Sequence, residues 1–281
     1  MAKARGFRPA ERIAMREWLE RLYLRYHTRE HLGSDPIQFV HRYSDNADRE
    51  IAGLIASSLA YGNVTSIHRS TANVLGRMME APAHFVHHNT EAQIRRGMEG
   101  FRHRWTGEEE IGDLLIGIKR VTSEYGGLGR LFLAVDDGGP DVTVGLKRWV
   151  DVLQRGLSDR RKNLLSDPAR LSACKRLHLY LRWMVRHDAI DPGCWAGIHP
   201  SRLLMPLDTH IFGFARACGF TRRATADGMA VQEITSVFRQ ISPDDPIRYD
   251  FALTRPGIID GWRPGKQKPW HVNAGGCDTL F

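Results

Sequence analysis

Apolar residues return at three- and four-residue intervals along nearly the whole chain, and that periodicity is the strongest constraint on what it can fold into. Met15, Leu19, Leu22 and Tyr26 form one stripe, Ile51, Leu54, Ile55 and Leu59 a second, and Ile67, Val74, Leu75 and Met78 a third. Ile111, Leu114, Leu115 and Ile118 continue the series, followed by Leu146, Trp149, Val150 and Leu153, then by Cys174, Leu177, Leu181 and Met184. Such spacing lines one face of a helix, whereas runs alternating with period two, the mark of a half-buried strand, are hard to find. The predicted fold class is all-α. Turn residues cluster at 33–36, 126–127, 136–140, 188–200 and 242–246, and none of these breaks is long enough for a flexible linker. Helical subdomains packed together are therefore expected, with no internal repeat. After Leu253 the periodicity stops, and 254–281, with Trp262 and Trp270, reads as an irregular basic tail.

With 281 residues, 42% of them hydrophobic and 26% charged, the chain can bury one large core or two modest ones and is not disordered by composition. No apolar run approaches the roughly 20 residues that span a bilayer, and the opening segment lacks the apolar core of a signal peptide. A cytoplasmic protein without a membrane partner is expected. Cys174, Cys194, Cys218 and Cys277 lie far apart with no C-x-x-C pair, which argues against a zinc ribbon, an iron–sulfur loop or a disulfide framework. The 13 histidines show no H-E-x-x-H or comparable ligand spacing, so no metal or other cofactor is expected. An excess of 40 Lys+Arg over 32 Asp+Glu gives a net charge of +8, which favours a polyanionic partner without establishing one.

Two segments carry the candidate chemistry. In MPLDTHIFGFARACGF, residues 205–220, Asp208 opens an apolar helical run after Pro206. It reads either as an N-cap, accepting from free amides of the first turn, or as a carboxylate with a partner elsewhere. Upstream, SACKRLHLYLRWMVRHD begins at Ser172 and puts Lys175 in the first turn of a helix, where free amides and the helix dipole disfavour added positive charge. A lysine needs such help to act as a nucleophile, since at a reference pKa of about 10.4 only about one in two thousand is neutral at pH 7. Lys175 is thus either a solvated helix residue or a nucleophile. Arg182 and Arg186 fall on a face other than the apolar one.

The stretch PLDTHIFGFA resembles the V-D-T-H-I-F-R-V segment of endonuclease III-type enzymes, and the lysine heading the preceding long helix completes a resemblance to the helix-hairpin-helix DNA glycosylase superfamily. Lys175 matches that family's catalytic lysine and Asp208 its catalytic aspartate. Their separation of 33 residues is longer than usual there and is similar to that of the archaeal 8-oxoguanine glycosylases. Over most of its length, including DREIAGLIASSLAYGNV, FRHRW, SACKRL, LRWMVR, PLDTH and DPIRYDFAL, the chain resembles a prokaryotic family described only as a domain of unknown function. The resemblance implies residues 1–253 as one glycosylase-like unit, with a subdomain at roughly 47–165, a second from 1–46 plus 166–253, and a cleft between them. It further implies a monomeric, nucleoid-associated base-excision glycosylase acting on damaged DNA, with β-elimination lyase activity and an oxidised purine, 8-oxoguanine foremost, as substrate. Another modified base, or a nucleic-acid-binding module that lost the chemistry, are the alternatives.

The pattern also departs from that family. SDPARLSACK contains no glycine where the family's hairpin grips a phosphate, although the free amides at the helix start, with Ser172, can still hold an anion. The four-cysteine cluster of many endonuclease III relatives is missing. Tyr61 and Asn63, in SSLAYGN, are candidates for filling the gap left by an everted nucleotide, or else part of an ordinary corner with Gly62 as its C-cap residue. Asp250 resembles the residue from which the archaeal enzymes direct a carboxylate at the guanine edge, or is a surface carboxylate. FRHRW offers Arg102 and Arg104 to a nucleic-acid backbone, as the following helix offers Arg182 and Arg186, or these are solvated faces. His210 is read as closing the Asp208 turn.

Overall fold

The stripes become helices whose ends are set by local chemistry. In a computed structural model describing residues 8–157, 164–170, 172–259 and 261, α1 (Pro9–Tyr26) starts with proline at its first position, where the missing amide costs nothing. Asp45 accepts from the amides of Ala47 and Asp48 to start α2 (Asn46–Ser58), and Asn63 accepts from Ser66 to start α3 (Val64–Arg77). After α4 (Pro82–His88), Thr90 and Gln93 close a capping box on α5 (Glu91–Gly97). The short strands β1 (Arg102–His103) and β2 (Thr106–Gly107) lead into α6 (Glu108–Tyr125), which Gly126 ends in the left-handed conformation (φ 80°). Then follow α7 (Leu128–Val135), α8 (Thr143–Leu153), α9 (Lys175–Val185), α10 (Thr209–Ala217), α11 (Gly228–Arg239) and α12 (Asp250–Ile259). The described residues are thus predominantly α-helical.

Two helices are buried on nearly every face and form the middle of the fold. In α2 every residue from Glu50 to Ser58 is buried, and in α9 every residue from Leu177 to Val185. They cross closely. A Cβ on Gly53 would lie 2.9 Å from Met184 Cε, and the Tyr180 hydroxyl donates to the Glu50 carbonyl at 3.1 Å. A 3₁₀ segment at Pro36–Arg42, together with α3, α4 and α7, packs on α2, while α12 packs on both α1 and α10. Trp18, Trp149, Tyr180 and Trp183 belong to one continuous core, where each large apolar side chain contributes about 1.5–3 kcal/mol through burial.

The fold differs from the sequence expectation in two places. FRHRW supplies the first strand and the tip of a β-hairpin, with β1 and β2 antiparallel and His103 opposite Thr106. The helical chain also runs beyond Leu253: α12 continues to Ile259, with Thr254, Arg255 and Pro256 buried. Apolar periodicity fails there because Arg255 is buried by pairing with Asp35 at 2.9 Å rather than by being apolar. Trp262, Trp270 and Cys277 lie outside the described residues. Cys174 and Cys194 are free thiols, and no described helix is long and apolar enough to cross a membrane.

Candidate functional site

Helices α9 and α10 both open onto one cavity of about 660 Å³. Lys175 is the first residue of α9 and lines this cavity half-buried, with no hydrogen bond or ion pair to any described residue. The N-cap before it, Cys174, takes a left-handed conformation (φ 44°), uncommon for a residue with a side chain. Asp208 lines the same cavity as the N-cap of α10, its Oδ1 accepting from the Ile211 amide at 2.8 Å. Capping occupies one carboxylate oxygen and leaves the other without a donor among the described residues, so Asp208 is an N-cap that also lines the cavity. The 33-residue excursion between the two positions brings them back to one site.

Asp250 is also in the wall, and it is not a surface carboxylate: it is 3% exposed and bonded to Arg182. Burial pushes its carboxyl up to about 6, the attraction of Arg182 opposes this, and the nearby Asp208 carboxylate adds to the rise. Arg182 and Arg186 require correction. Neither is a solvated residue open to a DNA backbone, since they are 2% and 4% exposed. Arg182 bridges Asp191, at 3.1 Å, and Asp250, while Arg186 pairs with Asp191, with Asp188 at 2.8 Å and with Asp245 at 2.9 Å. A guanidinium presents several donors in a fixed plane, so each arginine holds two or more carboxylates that burial alone would neutralise. Of this network, Arg182 and Asp250 line the cavity.

Tyr61 also lines the cavity, and Asn63 does not. Asn63 is exposed and committed to capping α3. Gly62 has a φ of +95°, and the corner it turns is packed under the FRHRW hairpin. Tyr61 Oη lies 2.6 Å from Thr106 Oγ1 and donates to the His103 carbonyl, so its hydroxyl is spent on the hairpin and its ring faces the site. Ser172 lines the cavity, its Oγ accepting from the Cys174 amide at 3.3 Å. Arg102 and Arg104 are exposed, as a backbone-tracking role requires. His210 lines the cavity with its ring against Gly257, where a Cβ would come within 2.3 Å of Nδ1, and it makes no hydrogen bond to the Asp208 turn.

Three wall residues were not legible as such. Arg176 donates to the Ser58 carbonyl and lies 5.3 Å over the Tyr61 ring, and Asp35 and Arg255 pair at the α12 side. For Arg176 the adjacent Lys175 was the available signal; for Asp35 and Arg255, 220 residues apart, there was none. Among the described residues no group of three or more His, Cys, Asp or Glu side chains is placed to hold a metal ion.

A family profile described as "Protein of unknown function (DUF2400)" matches residues 35–259, the span holding every cavity residue except Ser34. Searches of curated proteins and of solved structures returned no match.

Proposed function

We propose that this chain, which belongs to the DUF2400 family, is a DNA base-excision glycosylase with an associated lyase step. What supports the reading is that Lys175 and Asp208, each at the head of a helix, line one cavity of about 660 Å³, within the range that holds small-molecule ligands. Breaking an N-glycosidic bond builds positive charge on the sugar, and an ionised Asp208 stabilises that charge more in the transition state than in the ground state. The neutral amine of Lys175 attacks C1′, the base leaves with the bonding electrons, and the sugar opens to a Schiff base on the lysine. β-Elimination from that intermediate cleaves the strand on its 3′ side. The favoured substrate is an oxidised purine, 8-oxoguanine foremost: the N1–H and N2–H donors that it shares with guanine suit the Asp250 carboxylate that Arg182 holds in the wall.

Borohydride trapping tests this directly. A covalent adduct with duplex DNA carrying an abasic or 8-oxoguanine site, lost in Lys175→Ala, is expected. Asp208→Asn keeps a good N-cap while deleting the charge, so it should fold normally and release base slower by about 10² or more. DNA binding with no adduct and no base release would leave a binding module, a reading that the glycine-free segment before Lys175 favours.

A further inference from the structure

The hairpin beside the cavity presents an aromatic side chain that the interior does not use. Trp105 is 69% exposed, at the two-residue tip between β1 and β2, and its ring stacks on Tyr61 with centroids 4.6 Å apart and planes within 21°. Tyr61 is itself a cavity wall residue. The Arg104 guanidinium lies 4.9 Å over the Trp105 ring, and its stem crosses the backbone of Gly62, where a Cβ would approach Arg104 Cδ to 2.9 Å. Arg104 does this at a φ of 54°, a conformation that costs a residue with a side chain. The mounting beneath is rigid: His103, 2% exposed, has Nδ1 2.9 Å from Ser70 Oγ and Nε2 3.1 Å from the Tyr61 carbonyl. A large apolar ring is thus held out in water, beside a cation and continuous with the cavity rim.

We propose that the Arg104–Trp105 tip, stacked on Tyr61, is a platform for an unpaired nucleobase of a strand whose neighbouring nucleotide enters the cavity. The choice of partner rests on the nucleobase reading of the cavity, but the platform's chemistry is visible in its own parts. A flat exposed indole takes a base π-face whatever its identity, and an adjacent guanidinium takes the phosphodiester that accompanies it. Arg176, its guanidinium 5.3 Å over the Tyr61 ring, and the exposed Arg102 of β1 add further positive charge near this tip. A neutral aromatic ligand would leave these cations unused, whereas a nucleic-acid strand uses both properties.

The test compares two single-stranded probes of equal charge, an oligothymidylate of about fifteen nucleotides and an abasic phosphodiester of the same length, by fluorescence anisotropy on the full chain. Wild type should prefer the base-bearing probe by about tenfold, Trp105→Ala should bind both equally, and Trp105→Phe should restore part of the preference. Equal binding of both probes by wild type, or a preference that survives in Trp105→Ala, would overturn the platform. Near-ultraviolet circular dichroism establishes that each variant is folded, and Arg104→Ala, which leaves the indole in place, should weaken both probes alike. Borohydride trapping on wild type separates the two readings. A preference for bases with no adduct supports the platform and rejects the lysine chemistry, and an adduct with no preference does the reverse.

Discussion

A carboxyl group 3% exposed, beside a second carboxylate, resists ionisation even when an arginine touches it, and Asp250 shows the balance. Its folded value of about 6 stands above the ordinary unfolded value of about 3.9, so between those values the native state binds more protons than the unfolded one. The stability that this proton supplies is therefore full below pH 4 or so and lost as pH rises through about 6. Asp250→Asn should become progressively more stable relative to wild type over that interval, measured by urea unfolding at several pH values. Parallel profiles would mean that Asp250 does not titrate there. If the ionised carboxylate accepts from a guanine edge, release of 8-oxoguanine should also rise through about pH 6 in wild type and lose that limb in the variant. Asp208 was legible as a helix start because it is a capping residue, and Lys175 because apolar periodicity sets in after it. Arg182 was not, because its burial depends on Asp250, 68 residues away, and a lone arginine in a helix gives no sign of such a partner. One local sign existed: Leu181, Trp183, Met184 and Val185 surround Arg182 with apolar residues on every side of the helix.

Between elements, one close approach of backbones is made where a side chain is absent. A Cβ on Gly117 of α6 would stand 2.5 Å from the Leu153 carbonyl oxygen of α8, a backbone atom that cannot swing aside. Arg120, one turn further along α6, donates to the carbonyls of Val152 and Leu153 at 3.0 Å each, satisfying acceptors that the end of α8 leaves free. Gly117→Ala should therefore push the two helices apart and destabilise the protein by about 1–3 kcal/mol, despite the better helix propensity of alanine. A urea midpoint equal to that of wild type would show that the crossing relaxes without cost. The helices themselves were largely legible, since the stripe beginning at Ile111 lies within α6 and the stripe beginning at Leu146 within α8. The hairpin and the end of α12 were not. Two-residue strands are too short to display alternation, and α12 replaces apolar periodicity with a buried ion pair.

At the scale of the molecule, the buried ion pairs take nothing from the net positive charge. Arg182, Arg186 and Arg255 are set against Asp35, Asp191 and Asp250, three buried cations against three buried carboxylates, while Asp188 and Asp245 reach solvent. These buried pairs balance, so the overall +8 is carried by the rest of the chain. A polyanion bound by such an exterior releases counterions, and its affinity must then fall with salt. For a single strand the logarithm of affinity should decline against the logarithm of salt concentration with a slope of about −0.7 per phosphate neutralised. Arg104→Ala should make that slope shallower by about 0.7, whereas Trp105→Ala should lower affinity at every salt concentration and leave the slope unchanged, because stacking displaces no cations. A titration of both variants from about 50 to 200 mM salt checks this. A wild-type affinity that does not vary over that range would exclude a nucleic-acid strand from the exterior altogether. A slope that shifts in Trp105→Ala would mean that the indole acts by positioning the Arg104 guanidinium rather than by receiving a base.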